Sequence, residues 1–151
     1  MSTDIFPDVF RQSDYPLIHR PMIWLLFYMQ NEESYQRFWN CAVQWYTNSP
    51  YIHCEFFFTL SNETVSVTSS QPVNFEFEKR YDVNTYIGYC MDVSWEQYNI
   101  IYSRCQAEIG KPFDDSARKS FIFNWLLGEQ LYDQGIPEKW LCSRLMAYCL
   151  V

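Results

Sequence analysis

The sequence predicts an α+β domain in which an antiparallel sheet packs against helices, and three observations carry that expectation. Strand-like segments dominate positions 22–92, with one helix among them, and helix-like segments dominate 93–151. The composition is 48% hydrophobic and 20% aromatic against 19% charged, which demands a buried core and excludes a disordered or solvating segment. A length of 151 residues suits a single domain, with positions 1–21 read as an irregular N-terminal arm.

Each element follows from its spacing. Pro21 opens the apolar run Met22–Met29, whose length suits a buried strand. Tyr35, Phe38, Trp39, Ala42, Val43 and Tyr46 then recur as a helix stripe, with Glu32 and Glu33 favouring its N-terminus and Asn48-Ser49-Pro50 ending it. Positions 51–60 alternate as a strand. Ile52, Cys54, Phe56, Phe58 and Leu60 form an apolar row that must be core, while Tyr51, His53, Glu55, Phe57 and Thr59 take the other face. Asn62-Glu63 signals a turn into a second strand over Thr64–Ser70, so a hairpin is expected. Val73, Phe75 and Phe77 point inward from a further strand, and Thr85–Asp92 makes another.

Ser94 with Gln97 is a capping-box pattern. Behind it Trp95, Tyr98, Ile101, Tyr102, Cys105 and Ile109 form a buried stripe, stopped by Gly110 and Pro112. Asp114 and Asp115 cap a second helix from about Ser116 to Leu127, and Pro137-Glu138 starts a last helical segment carrying Trp140, Cys142, Leu145, Met146 and Cys149.

Charge narrows the partners. With 18 acidic and 11 basic residues the net charge is −7, which argues against nucleic acid and against a polybasic membrane surface. The first 20 residues lack an apolar signal region, and the longest apolar run is far short of the about 20 residues a membrane helix needs. A soluble, cytoplasmic protein without a transmembrane segment is expected. The six cysteines show no CxxC pair or finger-like spacing, and there is no HExxH, so neither a metal nor another cofactor is expected. Glycines at 88, 110, 128 and 135 cannot build a phosphate loop, and no GxSxG elbow occurs.

Two residues stand out for chemistry. His53 has Glu55 two positions on, on the same strand face and roughly 6.6 Å away along the strand. A carboxylate there can hold imidazole in one tautomer or stabilise its charged form. The plain alternative is a polar outer face with a tolerated ion pair. Cys142 falls near the start of the last helical segment, where unpaired amides and the helix dipole favour thiolate and could donate to an oxyanion. Its plain alternative is a core cysteine like Cys149. Together they make a Cys/His arrangement for nucleophilic catalysis. Cys54 is a poor substitute, because the pleat turns it into the core, and His19 is a weaker base candidate in the N-terminal arm.

The layout of His53-x-Glu55 on an early strand, Gly110-Lys111-Pro112-Phe113-Asp114 after a helix, and a late Trp140-Leu141-Cys142-Ser143 resembles the circularly permuted papain-like enzymes. These belong to the NlpC-type amidase clan, with its YiiX-like and lecithin retinol acyltransferase-like branches. The permuted branch places the histidine strand before the cysteine helix, as here. The resemblance spans roughly Met22 to Cys149 and rests on short motifs.

It implies Cys142 as nucleophile, His53 as general base, and a hydrolase or acyltransferase acting on amide or ester bonds of a lipid or peptide. Many members take the orienting residue from the strand after the histidine strand, where this sequence offers Ser66 or Thr68; Glu55 could do so from the histidine strand itself. Only nine residues follow Cys142, so the nucleophile helix must be short. Permuted members also occur in large DNA viruses, which would place such a protein in host cytoplasm or virion. The rival expectation is a non-enzymatic interaction or virion structural protein that keeps the fold and assembles with other proteins through its aromatic surface.

Overall fold

A computed structural model describes residues 20–29, 41, 44, 48–82, 84–117 and 138–151. Its architecture is α+β. Five strands, β1 (Met22–Met29), β2 (Tyr51–Phe58), β3 (Glu63–Thr68), β4 (Gln71–Phe77) and β5 (Tyr86–Asp92), form one sheet in the order β4-β3-β2-β1-β5. Every neighbouring pair is antiparallel. Two helices follow, α1 (Trp95–Ala107) and α2 (Cys142–Leu150).

The alternation read from the sequence sets the register. Ile23 faces Phe58, Leu25 faces Phe56 and Phe27 faces Cys54 across β1 and β2, so one sheet face carries a continuous apolar row. Val65 joins it opposite Phe56, and Phe75 opposite Val65. Tyr98, Ile101 and Cys105 of α1 and Leu145, Met146 and Cys149 of α2 close over this face. Phe58 is the hub, meeting Tyr98 and Tyr102 edge-on at 5.5 and 5.1 Å and stacking on Phe75. Burying rings of this size dominates the energetics of such a core.

The turn chemistry also matches. Asn62 takes a left-handed φ of 56° at the β2–β3 hairpin, a conformation asparagine tolerates. Ser94 caps α1 in a full capping box with Gln97. Beyond α1, Gly110 adopts φ 83° and its N–H reaches Val73 O, tying the helix exit to β4. Asp114 Oδ1 accepts the Ala117 N–H at 2.9 Å, so Asp114 caps a helical turn whose continuation towards Leu127 lies outside the described residues. Cys41 and Gln44 are helical, while the rest of the expected 35–46 stripe also lies outside them.

Four expectations are corrected. Trp95 and Ile109 are 57% and 55% exposed, because they sit before and after the stretch of α1 that touches the sheet. Phe77 is 63% exposed at the end of edge strand β4, beyond the reach of the helices. The last helix starts at Cys142, not near Pro137. Trp140 is extended instead, its N–H and C=O spent on Pro112 O and the Asp114 N–H in a parallel bridge with Phe113. Finally, the second sheet face is no polar outer surface. Leu26, Glu55, Phe57, Thr64 and Ser66 are all buried there.

That burial has a local cause. Glu78 takes a left-handed φ of 53° immediately after β4, and its N–H bonds to Asn62 O. The chain then turns back over the sheet, so that Tyr81 meets Phe57 and Tyr86 edge-on and hydrogen-bonds Thr64 through the two hydroxyls. Among the described residues no helix is long and apolar enough to cross a membrane.

Candidate active site

β2 is paired unevenly. Its ladder with β1 covers most of its length, whereas its ladder with β3 covers only Phe56–Phe58. β3 bulges between Ser66 and Thr68 and leaves β2 beyond Val65. The first half of β2 therefore has a free edge, and the N-terminus of α2 docks against it. Cys142 lies close enough to Cys54 and to His53 for both residues to act on its thiol. An edge position explains how one thiol reaches two consecutive residues whose side chains leave the strand on opposite faces.

α2 presents Cys142 as its first helical residue. Leu141 is the N-cap without a side-chain bond, and its carbonyl accepts the Leu145 N–H. The free amides and the positive end of the helix therefore surround the thiol. Upstream, the Phe113–Trp140 bridge fixes the entry to the helix. The Trp140 indole N–H donates to Glu108 Oε2 at 2.6 Å, and Lys111 Nζ lies 2.6 Å from the same oxygen. Trp140 thus anchors the segment that delivers Cys142.

The electrostatics follow from these contacts. The Cys54 thiol donates towards Cys142, and His53 adds charge and a hydrogen bond, so together they hold Cys142 well below the ordinary thiol value against the cost of burial. The same bond, with burial, pushes the Cys54 thiol up, so Cys54 keeps its proton. Burial works against charge on His53, but Cys142 and then Glu55 outweigh it and raise the imidazole to about 9. Both directions favour a thiolate–imidazolium pair.

Glu55 is the second charge of this site and is fully buried. Its Oε2 lies 2.8 Å from Lys79 Nζ and 3.6 Å from His53 Nε2, the latter an ion-pair distance rather than a hydrogen bond. Burial opposes the carboxylate's charge, yet His53 and Lys79 keep it below its ordinary value. Burial and the Glu55 charge raise the neighbouring Tyr86 phenol.

Of the three residues considered for orienting the histidine, Glu55 is the one in contact with His53. Ser66 is buried opposite Asn74 of β4, and the Thr68 hydroxyl bonds Ser70 in the β3–β4 turn. His19 lies outside the described residues. Sequence reasoning missed Lys79 and Cys54. Lys79 had a usable signal, since a carboxylate on a strand whose two faces are both rich in aromatics needs a cation nearby. Cys54 was correctly read as core-facing, and it is 7% exposed, but the core it faces includes the start of α2.

On the apolar face, Phe27 pairs with Cys54 across the strands and its ring packs on Tyr51 and Tyr89 at 5.4 and 5.7 Å; the shift in register between Tyr28 and Met29 brings Tyr51 to this face and not to the His53 face that simple alternation predicts. Tyr89 is half exposed, so this aromatic shelf opens to solvent. Among the described residues no group of three His, Cys, Asp or Glu side chains could hold a metal ion. The chemistry the arrangement allows is nucleophilic attack by a preformed thiolate, with an adjacent imidazolium as acid. No family model matches the chain, and neither a search of the curated proteins nor one of the solved structures gives a match.

Proposed function

We propose that this protein is a cysteine hydrolase or acyltransferase acting on an amide or ester carbonyl, built on a circularly permuted papain-like arrangement. The observation that carries the reading is the series Cys142–His53–Glu55: a thiol on the first turn of α2, an imidazole near enough that each favours the other's charge, and a buried carboxylate 3.6 Å from that ring. Cys142 attacks the carbonyl carbon as thiolate, forming the C–S bond. The N–H groups of the first turn of α2 stabilise the oxyanion. His53 gives its proton to the leaving amine or alcohol as the tetrahedral adduct collapses to a thioester. It then takes a proton from the incoming water or acceptor. Glu55 holds the ring and stabilises its charge, and Lys79 holds Glu55. The shelf of Phe27, Tyr51 and Tyr89 suits an acyl chain or an apolar peptide side chain.

The test is acylation of the intact protein by an activated ester, read as a mass increase, with iodoacetamide labelling at neutral pH alongside. Acylation that disappears in Cys142→Ala and slows in His53→Ala supports the reading. A Cys142 that reacts no faster than a thiol of the unfolded chain refutes it. A second reading, a non-enzymatic interaction or structural protein, draws on the exposed Trp95, Ile109, Phe77 and Tyr148. Obligate co-assembly with an inert Cys142 would favour it.

A further inference from the structure

We infer that Cys105 and Cys149 form a latent disulfide between α1 and α2, a redox staple that a small peroxide closes and a dithiol reopens. Where the two helices pack together, the two sulfurs lie 3.5 Å apart, with the Cys105 thiol donating to the Cys149 sulfur. A disulfide bond is about 2.05 Å long, so about 1.5 Å of further approach closes it, within the scope of side-chain rotation. Neither Cys142 nor the proposed acyl chemistry enters the inference.

Two helical stripes build the pair. Cys105 continues the buried face of α1 marked by Tyr98 and Ile101, and Cys149 continues the buried face of α2 marked by Leu145 and Met146. A buried cysteine on its own packs as a small hydrophobe. Two in sulfur contact across one helix interface are a chemical unit. Arg104 spans the same interface and donates from Nη1 to the Cys149 carbonyl at 3.3 Å. That carbonyl lies in the last turn of α2, where helix geometry supplies no partner. Arg104 and Cys105 therefore hold this turn against α1.

Both cysteines are fully buried, so the oxidant must arrive through a local opening. Helix ends open at the least cost, and Cys149 sits in such a turn beside the exposed Leu150 and Val151. The Cys105 hydrogen bond, helped by the Arg104 charge, lowers the Cys149 thiol against burial and the Glu108 charge, so Cys149 is the attacking sulfur. It ionises and attacks one oxygen of hydrogen peroxide. An S–O bond forms, the O–O bond breaks, and the departing hydroxide takes up the proton that Cys149 released, leaving as water. Cys105 then loses its proton and attacks the sulfenic sulfur. The S–S bond forms, the S–O bond breaks, and the second hydroxide leaves with that proton as water. The peroxide is reduced to two waters and the two thiols are oxidised. Dithiothreitol reopens the bond by thiol–disulfide exchange.

Closed, the staple replaces a packing contact by a covalent one between the two helices that cover the apolar face of the sheet. It restricts the unfolded chain between Cys105 and Cys149, which favours the folded state. It also fastens the helix whose first residue is Cys142, so the hold on that helix tightens under oxidation.

The experiment treats the reduced full-length protein with hydrogen peroxide in native buffer, caps the remaining thiols with N-ethylmaleimide in urea, and maps the unreduced tryptic digest by mass spectrometry. Cleavage after Arg104, Lys139 and Arg144 places Cys105, Cys142 and Cys149 in separate peptides. The expected product is the Cys105 peptide joined to the Cys149 peptide with the loss of two hydrogen atoms. The oxidised protein should unfold at a higher urea concentration than the reduced one, and dithiothreitol should reverse both changes. Cys105→Ala and Cys149→Ala should show no such rise; the wild-type map stands even if both variants misfold. Recovery of Cys105 and Cys149 as maleimide adducts while the exposed Cys41 and Cys90 are oxidised overturns the inference. So does a preference of either sulfur for Cys41, Cys54, Cys90 or Cys142. A Cys105–Cys149 link with an unchanged or lower urea midpoint overturns it too, because the helices are then not fastened. Acylation of Cys142 is read separately, so failure of the hydrolase leaves the staple standing, and failure of the staple leaves the hydrolase standing.

Discussion

Replacing Glu55 by glutamine tests the charge arrangement most directly, because the change keeps the shape and removes only the charge. Glu55 is completely buried, with Lys79 Nζ at 2.8 Å and His53 Nε2 at 3.6 Å. Removing one partner of a buried pair costs about 3–5 kcal/mol. The Lys79 side chain keeps 21% of its exposure and can draw on solvent, so about 3 kcal/mol is the expected loss in urea unfolding. Adding Lys79→Met should return most of that loss, since a neutral, well-filled site costs little relative to an intact ion pair.

The same variant should also move His53. A carboxylate this close shifts a neighbour by about 1–3 pKa units. The imidazole midpoint near 9 should therefore fall in Glu55→Gln, though not to its ordinary value while Cys142 remains beside it. The chain has two histidines, so imidazole NMR with a His53→Ala control assigns the signal. A folded Glu55→Gln protein with an unmoved His53 midpoint would refute Glu55 as the group that holds the ring. A double variant no more stable than the single one would refute the Lys79 contribution.

Three further outcomes are expected. His53, raised from 6.5 to about 9, by itself adds stability that is full below 6.5 and lost as pH rises through 9. Cys142, lowered well below 9.0, by itself adds stability that is full above 9.0 and lost as pH falls through its folded value. Between 6.5 and 9 these slopes cancel, because a folded thiolate–imidazolium pair and an unfolded thiol and imidazole bind the same number of protons. Stability of His53→Ala relative to wild type should therefore rise with pH across that window, because Cys54 still lowers the Cys142 thiol there, and a constant difference in urea unfolding contradicts the pair. Trp140→Phe keeps the ring but leaves the buried Glu108 carboxylate without its indole donor, at a cost of about 1–3 kcal/mol. Thermal unfolding measures that loss, and iodoacetamide labelling of Cys142 should slow as the entry to α2 loosens. Asp114→Ala should cost about 1 kcal/mol through the lost cap while Asp114→Asn costs much less, a contrast readable in the same unfolding assay.

The strands were legible because alternation is a local property. The apolar row of β2, the capping box at Ser94 and the turn at Asn62 each depend on residues a few positions apart. What lay beyond reach depended on tertiary placement. Glu55 reads as an outward residue by its period, and only the backward turn after Glu78 buries it under Lys79 and Tyr81. Trp140 reads as helical by its spacing with Cys142, but the Pro112–Asp114 segment captures its backbone first. Pairing of a cysteine with a histidine could be guessed from residue type and order. The second thiol could not, because nothing in the sequence says where β3 stops pairing with β2.

That early departure of β3 is what allows one site to draw on both faces of a sheet. A fully paired β2 would spend the Cys54 N–H on a strand ladder and would separate His53 from Cys54 by the thickness of the sheet. With the ladder ended at Phe56, the helix start occupies the vacant edge. The buried Glu55 and the partly buried His53 and Lys79 act from one face, and the protonated Cys54 acts from the other. Cys54 and then His53 hold the Cys142 thiol below its ordinary value against the cost of burial, with the helix amides as the setting. Loss of His53 alone should leave a thiol still more acidic than an ordinary cysteine, because Cys54 continues to donate to it. That residual acidity separates an edge site from a simple dyad, in which removing the histidine returns the cysteine to its unperturbed value. Iodoacetamide labelling of His53→Ala as a function of pH reads it, and a midpoint at the ordinary thiol value would show that the β2 edge contributes nothing.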